Sequence, residues 1–291
     1  MREDQLRRLV EIRVQRPEAV AEAAANRVRP ASLLGEHGRL MMIAADHPAR
    51  GALRAGDRAF AMGDRGDLLD RLVLALSRPG VNGVLGTPDV LEDLLLLGAL
   101  DDKVVVGSMN RGGLAGTAFE MDDRFTAYDA ASIAASGYEG GKMLTRIDAE
   151  DPSTVATLES CARAVGDLAD HRLMAMVEPF ISHRVDGRVR NELTADAMIR
   201  AMTVAAGLGR TSARTWLKVP IVDEMERAMA ATTLPAVILG GEVSADPDAV
   251  FASWSKALAL PTVQGLVIGR SLLYPPDDDV ASAVDSAVGL L

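Results

Sequence analysis

Lysine is scarce in this chain. Of 31 basic residues only Lys103, Lys142, Lys218 and Lys256 are lysine; the other 27 are arginine. Lys218 and Lys142 stand inside apolar runs, in TWLKVP (215–220) and GGKMLTRI (140–147). An unpaired ammonium in an apolar interior is costly, so a lysine there has to be accounted for. An amine can lose its proton and attack a carbonyl carbon, which a guanidinium in practice cannot. A free lysine, with a pKa of about 10.4, is neutral in roughly one copy in a few thousand at pH 7. Desolvation and a neighbouring cation both raise that fraction. Trp216, Leu217 and Val219 offer apolar neighbours and Lys142 a second charge. The chemistry that follows is a Schiff base on Lys218. The plain alternative is a structural ion pair, with Lys218 or Lys142 neutralising Asp46 or Glu178.

Schiff-base chemistry needs groups that give and take protons. Glu178 in VEPF and Asp46 in AADHP are the candidates. Gly240-Gly241 in ILGGEVS and Gly269-Arg270 in VIGRS suit phosphate: glycine lets the backbone approach, free amides hold oxygens, and Arg270 adds a two-pronged clamp. Asn110-Arg111-Gly112-Gly113 is a candidate substrate loop. Metal chemistry finds little footing. The histidines are His37, His47, His171 and His183, with neither H-x-H nor H-E-x-x-H spacing. No metal and no cofactor is expected.

These residues need elements to position them. From Arg39 onward, short apolar runs alternate with amphipathic stretches. The runs are 39–46, 81–86, 103–108, 140–147, 172–178, 215–219, 236–241 and 264–269; helix-like stretches at 64–78, 88–98, 126–137, 152–168, 194–208, 221–231 and 247–257 lie between them, and a final helix follows Pro275-Pro276. Strands apolar on both faces, each followed by a helix, form a parallel sheet with right-handed crossovers. Its simplest closure is a (β/α)8 TIM barrel over residues 31–291, preceded by an extra N-terminal helix within 1–30. An open doubly wound sheet is the other arrangement, but its usual G-x-G-x-x-G is replaced after the first run by Asp46-His47-Pro48. Barrel chemistry sits at the C-terminal ends of the strands. By that filter Asp46 ends strand 1, Lys142 and Arg146 share a face of strand 4, Glu178 ends strand 5, and Lys218 lies on strand 6. Gly240-Gly241 and Gly269-Arg270 end strands 7 and 8. Lys103 begins its strand and Lys256 is helical, so both fall outside.

A net charge of −10 gives no general footprint for nucleic acid or an anionic membrane. Aromatic residues make up 3% of the chain, too few for a base-stacking surface. Cys161 is the single cysteine, and the charged N-terminus lacks a signal-like apolar stretch. The longest apolar stretch, Leu94–Leu100, is too short for a membrane span. The expectation is a soluble cytoplasmic homo-oligomer acting on a small phosphorylated sugar.

The blocks AADHPARGAL, GGKMLTRID, VEPF, TWLKVP, ILGGEVS and VIGRSLLY, in that order and on those strands, resemble the class I (Schiff-base) aldolases of the tagatose-1,6-bisphosphate and sulfofructose-phosphate type. More distantly they resemble the archaeal-type class I fructose-bisphosphate aldolases. The resemblance implies that Lys218 is the Schiff-base lysine and Glu178 the main proton shuttle, with Asp46 and Lys142 assisting. It implies that Gly240, Gly241 and Arg270 hold the phosphate of a dihydroxyacetone-phosphate half. Two features depart from the pattern: Pro220 stands where relatives carry Glu in Lys-Val-Glu, and DHPARGAL is one residue longer than DQRGAL. The chain also resembles an aldolase-like group of actinobacterial inositol catabolism. That implies 2-deoxy-5-keto-gluconate 6-phosphate as substrate, with Arg146 or Arg111 meeting its carboxylate. Rival readings are a deoxyribose-phosphate-type aldolase, which carries a further strand 7 lysine absent from ILGGEVS, a non-catalytic phosphosugar-binding barrel, and a metal-dependent lyase.

Overall fold

The structure is a computed structural model that describes residues 3–291. Nine strands form the sheet: β1 (Leu40–Ala44), β2 (Gly83–Gly86), β3 (Val104–Ser108), β4 (Gly140–Ile147), β5 (Met174–Val185), β6 (Arg188–Asn191), β7 (Thr215–Val219), β8 (Ala236–Leu239) and β9 (Val263–Ile268). All but β6 pair in parallel, and β1 pairs with both β2 and β9, so the sheet closes on itself. This is the TIM barrel expected from the alternating pattern.

Among the described residues eleven α-helices accompany the strands. The N-terminal extension contains α1 (Glu3–Gln15) and α2 (Ala19–Asn26), separated at Pro17, which cannot donate within a helix. Around the barrel follow α3 (Arg65–Ser77), α4 (Pro88–Leu96), α5 (Ala130–Ala135), α6 (Ser153–Asp170), α7 (Ala195–Ala206), α8 (Met225–Met229), α9 (Pro247–Leu258), α10 (Arg270–Leu273) and α11 (Val280–Val288). Just after α2, buried Arg27 donates to Glu139 at 2.9 Å, to the Lys103 carbonyl at 2.8 Å and to the Gly137 carbonyl at 2.6 Å. With Arg29 on the same Glu139 and Arg13 on Glu92 and Asp93 of α4, that guanidinium helps fasten the extension to the barrel.

Side chains alternate along each strand, and two apolar layers result. Leu40, Met42, Val104, Val106, Met176 and Val237 fill the barrel interior, with Trp216 against them. Met41, Ile43, Val105, Val177, Leu217 and Val219 face the helices. The barrel is therefore packed from below, and only its C-terminal end is free to hold polar groups.

Two local features differ from the sequence expectation. The run expected to end at Glu178 continues to Val185 and folds back through Asp186 (φ 51°) and Gly187 (φ 74°) onto β6. Asp-Gly with both residues left-handed is a tight hairpin turn, and the polar ISHRVDGRVRN stretch lies outside the barrel, where no apolar run betrays a strand. Helices expected at 126–137 and 221–231 shrink to α5 and α8. Asp129 caps the first, accepting from the Ser132 amide at 2.7 Å.

No helix among the described residues is long and apolar enough to cross a membrane.

Candidate active site

The barrel's alternation decides which polar side chains meet. Lys142 and Arg146 on β4, Glu178 on β5 and Lys218 on β7 point inward, above the Met176 and Val237 layer. Asp46, Arg111, Lys142, Arg146, Glu178, Lys218, Gly240, Gly241, Gly269 and Arg270 all border one cavity of about 490 Å³ at the C-terminal mouth, whereas Asn110, Gly112 and Gly113 of the expected substrate loop do not. Glu178 reaches it from within β5 rather than from a strand end. A further difference concerns Lys218: Leu217 and Val219 face the helices, so of the three apolar neighbours Trp216, Leu217 and Val219 only Trp216 shares its face, one layer below, while Pro220 lies on the same face toward the mouth.

The centre is a chain of buried charges. Lys218 Nζ donates to Glu178 Oε1 at 2.6 Å, and Lys142 Nζ takes the other oxygen, Oε2. Lys142 also reaches Asp46 Oδ2 at 3.2 Å, and Arg111 Nη1 meets the same oxygen at 3.1 Å. Ser108 Oγ completes the set, donating to Asp46 Oδ2 at 3.1 Å. Three cations thus face two carboxylates. Burial raises Glu178, but Lys142 and Lys218 outweigh it and hold the carboxyl at about 2. Burial likewise opposes ionisation of Asp46, and Arg111 and Lys142 overcome it and hold Asp46 well below the carboxylate range. For Lys142 burial comes first and Arg111 second; together they bring the amine down to about 8 despite both carboxylates. Two ionised carboxylates and an amine with weakened proton affinity, all within hydrogen-bond reach, can pass protons to and from a reacting carbonyl.

At the far side of the mouth, β8 and β9 end in Gly240-Gly241 and Gly269. Gly241 is left-handed (φ 68°) with open space where a side chain would stand. A Cβ on Gly269 would come within 2.6 Å of the Ala44 carbonyl and 2.9 Å of His47 Cε1. Arg270 opens α10, directs its buried Nε without a partner, and pairs with exposed Glu242 at 2.8 Å. His47 lines the same space; burial, with Arg270 and Lys218 nearby, lowers it to about 3, so its imidazole is neutral.

The two arginines proposed for a substrate carboxylate differ. Arg146 is engaged on two sides by buried Asp123, Nε to Oδ2 at 2.9 Å and Nη2 to Oδ1 at 2.6 Å. Arg111 is equally buried, yet its Nη2 has no hydrogen-bond partner. An unmatched buried donor is expensive, so the free fork is Arg111's.

Sequence reading did not single out Arg50, Glu120, Asp123 or Arg190, all near this mouth. Asp123 and Glu120 lie in an irregular loop whose place is set by contacts, with Arg146 and Arg50 as partners. Buried Asn110 accepts from the Leu144 amide at 2.7 Å and donates to the Leu144 carbonyl at 2.6 Å, continuing the β3–β4 ladder with its side chain. Among the described residues no cluster of histidine, cysteine and acidic groups is arranged to hold a metal.

Comparison with known proteins extends this picture. The crystal structure of Cgl0159 from Corynebacterium glutamicum is 53% identical, with a TM-score of 0.97 over 100% of this chain and 97% of that one. An archaeal fructose-1,6-bisphosphate aldolase, solved with its catalytic lysine covalently bound to the carbinolamine intermediate, has a TM-score of 0.67 at 16% identity, over 93% of this chain and 98% of that one. A structure of an archaeal fructose 1,6-bisphosphate aldolase gives 0.66 at 16% identity, over 93% and 98%. At that identity the likeness shows a shared fold. Among curated proteins none matches the sequence. The model of the Cgl0159-like family matches residues 38–288, from the strand that brings Asp46 to the last helix, and the chain belongs to that family.

Proposed function

We propose that this protein is a class I aldolase acting on a phosphorylated ketose or keto-sugar acid, without a metal. The observation that carries the reading is Lys218 at 2.6 Å from Glu178, with Lys142 on the same carboxylate, inside a closed-bottomed cavity. The covalent lysine carbinolamine named for the archaeal aldolase of like fold supports it.

In this reading Lys218 passes a proton to Glu178 and attacks the substrate's C2 carbonyl. The carbinolamine hydroxyl recovers a proton and leaves as water, giving a protonated imine. A carboxylate, Glu178 or Asp46, removes the C4 hydroxyl proton; the C3–C4 electrons move into the imine and an aldehyde departs. The enamine takes a proton at C3, and water hydrolyses the imine to free Lys218 and dihydroxyacetone phosphate. Gly240, Gly241, Gly269 and Arg270 hold the phosphate. The finer assignment is 2-deoxy-5-keto-gluconate 6-phosphate, in whose numbering Lys218 attacks C5, the C3 hydroxyl loses the proton and the enamine is protonated at C4, giving dihydroxyacetone phosphate and malonate semialdehyde. Arg111's free Nη2 supports a carboxylate-bearing substrate.

Borohydride reduction with dihydroxyacetone phosphate, followed by peptide mass analysis, is expected to place the adduct on Lys218. An unmodified Lys218, or full activity in Lys218→Ala, overturns the reading.

A further inference from the structure

Seven cationic side chains line the cavity, and six of them have carboxylate partners. Arg50 pairs with Glu120, Arg111 with Asp46, Lys142 with Asp46 and Glu178, Arg146 with Asp123, Lys218 with Glu178 and Arg270 with Glu242. Among the described residues Arg190 has no such partner. It stands on β6, paired across the hairpin with His183. The hairpin is tied to its surroundings: Arg184 donates to the Ala118 carbonyl at 2.7 Å and pairs with Asp151 at 3.6 Å, and within the hairpin Ser182 Oγ donates to Asn191 Oδ1 at 2.8 Å. Arg184 ties it to the loop that follows β3, the loop that also carries Arg111. Around the barrel β8 and β9, which carry the glycines, lie opposite β3 and β4, and β7 separates β8 from β5, the strand that runs into the Arg190 hairpin. Lys218 on β7 is between the two walls. A substrate with its phosphate at Gly240-Gly241 and its carbonyl at Lys218 extends its other half toward Arg190 and Arg111.

Resting on the aldolase reading, we propose that Arg190 is a specificity-determining residue that selects a negatively charged group on the aldehyde half of the substrate, together with the unpartnered Nη2 of Arg111. An exposed cation at the mouth without a carboxylate of its own, carried on a tethered hairpin, favours an anionic aldehyde over a neutral one of like size.

The test condenses dihydroxyacetone phosphate with four aldehydes: malonate semialdehyde, glyceraldehyde 3-phosphate, glyceraldehyde and propanal. Wild type, Arg190→Ala and Arg190→Lys are compared, and borohydride trapping with dihydroxyacetone phosphate alone is run beside them. For Arg190→Ala the expected result is a KM raised roughly ten-fold or more for a charged aldehyde, as for loss of a charged hydrogen bond. Its kcat and its KM for the neutral aldehydes stay near wild type, and lysine restores part of the loss. Which charged aldehyde suffers identifies a carboxylate or a phosphate. Equal KM values for charged aldehydes in wild type and Arg190→Ala, or equal losses for charged and neutral ones, overturn the proposal while trapping at Lys218 still stands. No trapping in wild type overturns the aldolase reading and this proposal with it.

Discussion

Lys218 and Glu178 are joined by a 2.6 Å hydrogen bond in which the amine donates to Oε1, and the carboxylate's remaining oxygen is occupied by Lys142. One buried carboxylate therefore sustains two buried amines. With Arg111 and Asp46 included, the group carries one positive charge more than negative.

That balance makes the carboxylate the weak point for stability. Glu178→Gln leaves three cations against Asp46 alone, and we expect a loss of about 3 kcal/mol or more. Lys142→Met leaves Lys218 with Glu178 and Arg111 with Asp46, and should lower the melting temperature little or not at all. Urea unfolding of both variants at pH 7 checks the contrast; equal losses would refute it.

Linkage gives both ends of the pH scale the same sign, because Glu178 and Lys142 are each held below their ordinary values and stability rises with pH in either window. Glu178 is held at about 2 against an ordinary 4.5, so its stabilisation is complete above pH 4.5 and drains away as pH falls toward 2. Lys142 is lowered from 10.5 to about 8. Between those values the unfolded chain binds more protons than the folded one, so stability from this group rises with pH. Urea unfolding free energies from pH 7 to 10 should show wild type gaining on Lys142→Met as the pH rises. A constant difference contradicts the assignment.

Exposed Glu242 occupies Arg270 at the end proposed for phosphate. A phosphate arriving there meets a negative charge. Glu242→Gln should lower KM for the phosphorylated substrate about two- to five-fold with kcat unchanged, the scale of an exposed ion pair. A raised KM would instead make Glu242 part of the binding site.

Asn110 supplies both hydrogen bonds that Leu144 would otherwise seek from a strand. Asn110→Ala strands a buried amide and a buried carbonyl, each costing about 1–3 kcal/mol. Thermal unfolding is expected to show the loss, and Asn110→Asp, which keeps only the acceptor, should fall between. Wild-type stability in Asn110→Ala would mean that the bridge contributes little.

The barrel was legible because parallel strands covered on both faces leave an unbroken apolar signature, and because Pro-initiated helices punctuate them. Lys142, Glu178 and Lys218 were legible as polar residues inside those apolar runs. The β5–β6 hairpin was not, since a polar ribbon outside the barrel has neither an apolar run nor a buried face.

The sequence by itself determined the closed alternation of strands and helices and the residue types gathered at one rim. Only the tertiary structure decided their pairing: that Glu178 serves two lysines, that Asp123 engages Arg146 and leaves Arg111 with a free donor, and that Arg190 looks into the mouth. Strand periodicity is local and can be read along the chain. Which charge meets which depends on neighbours brought together by closure of the barrel, and hydrogen bonds and ion pairs are decided at that range.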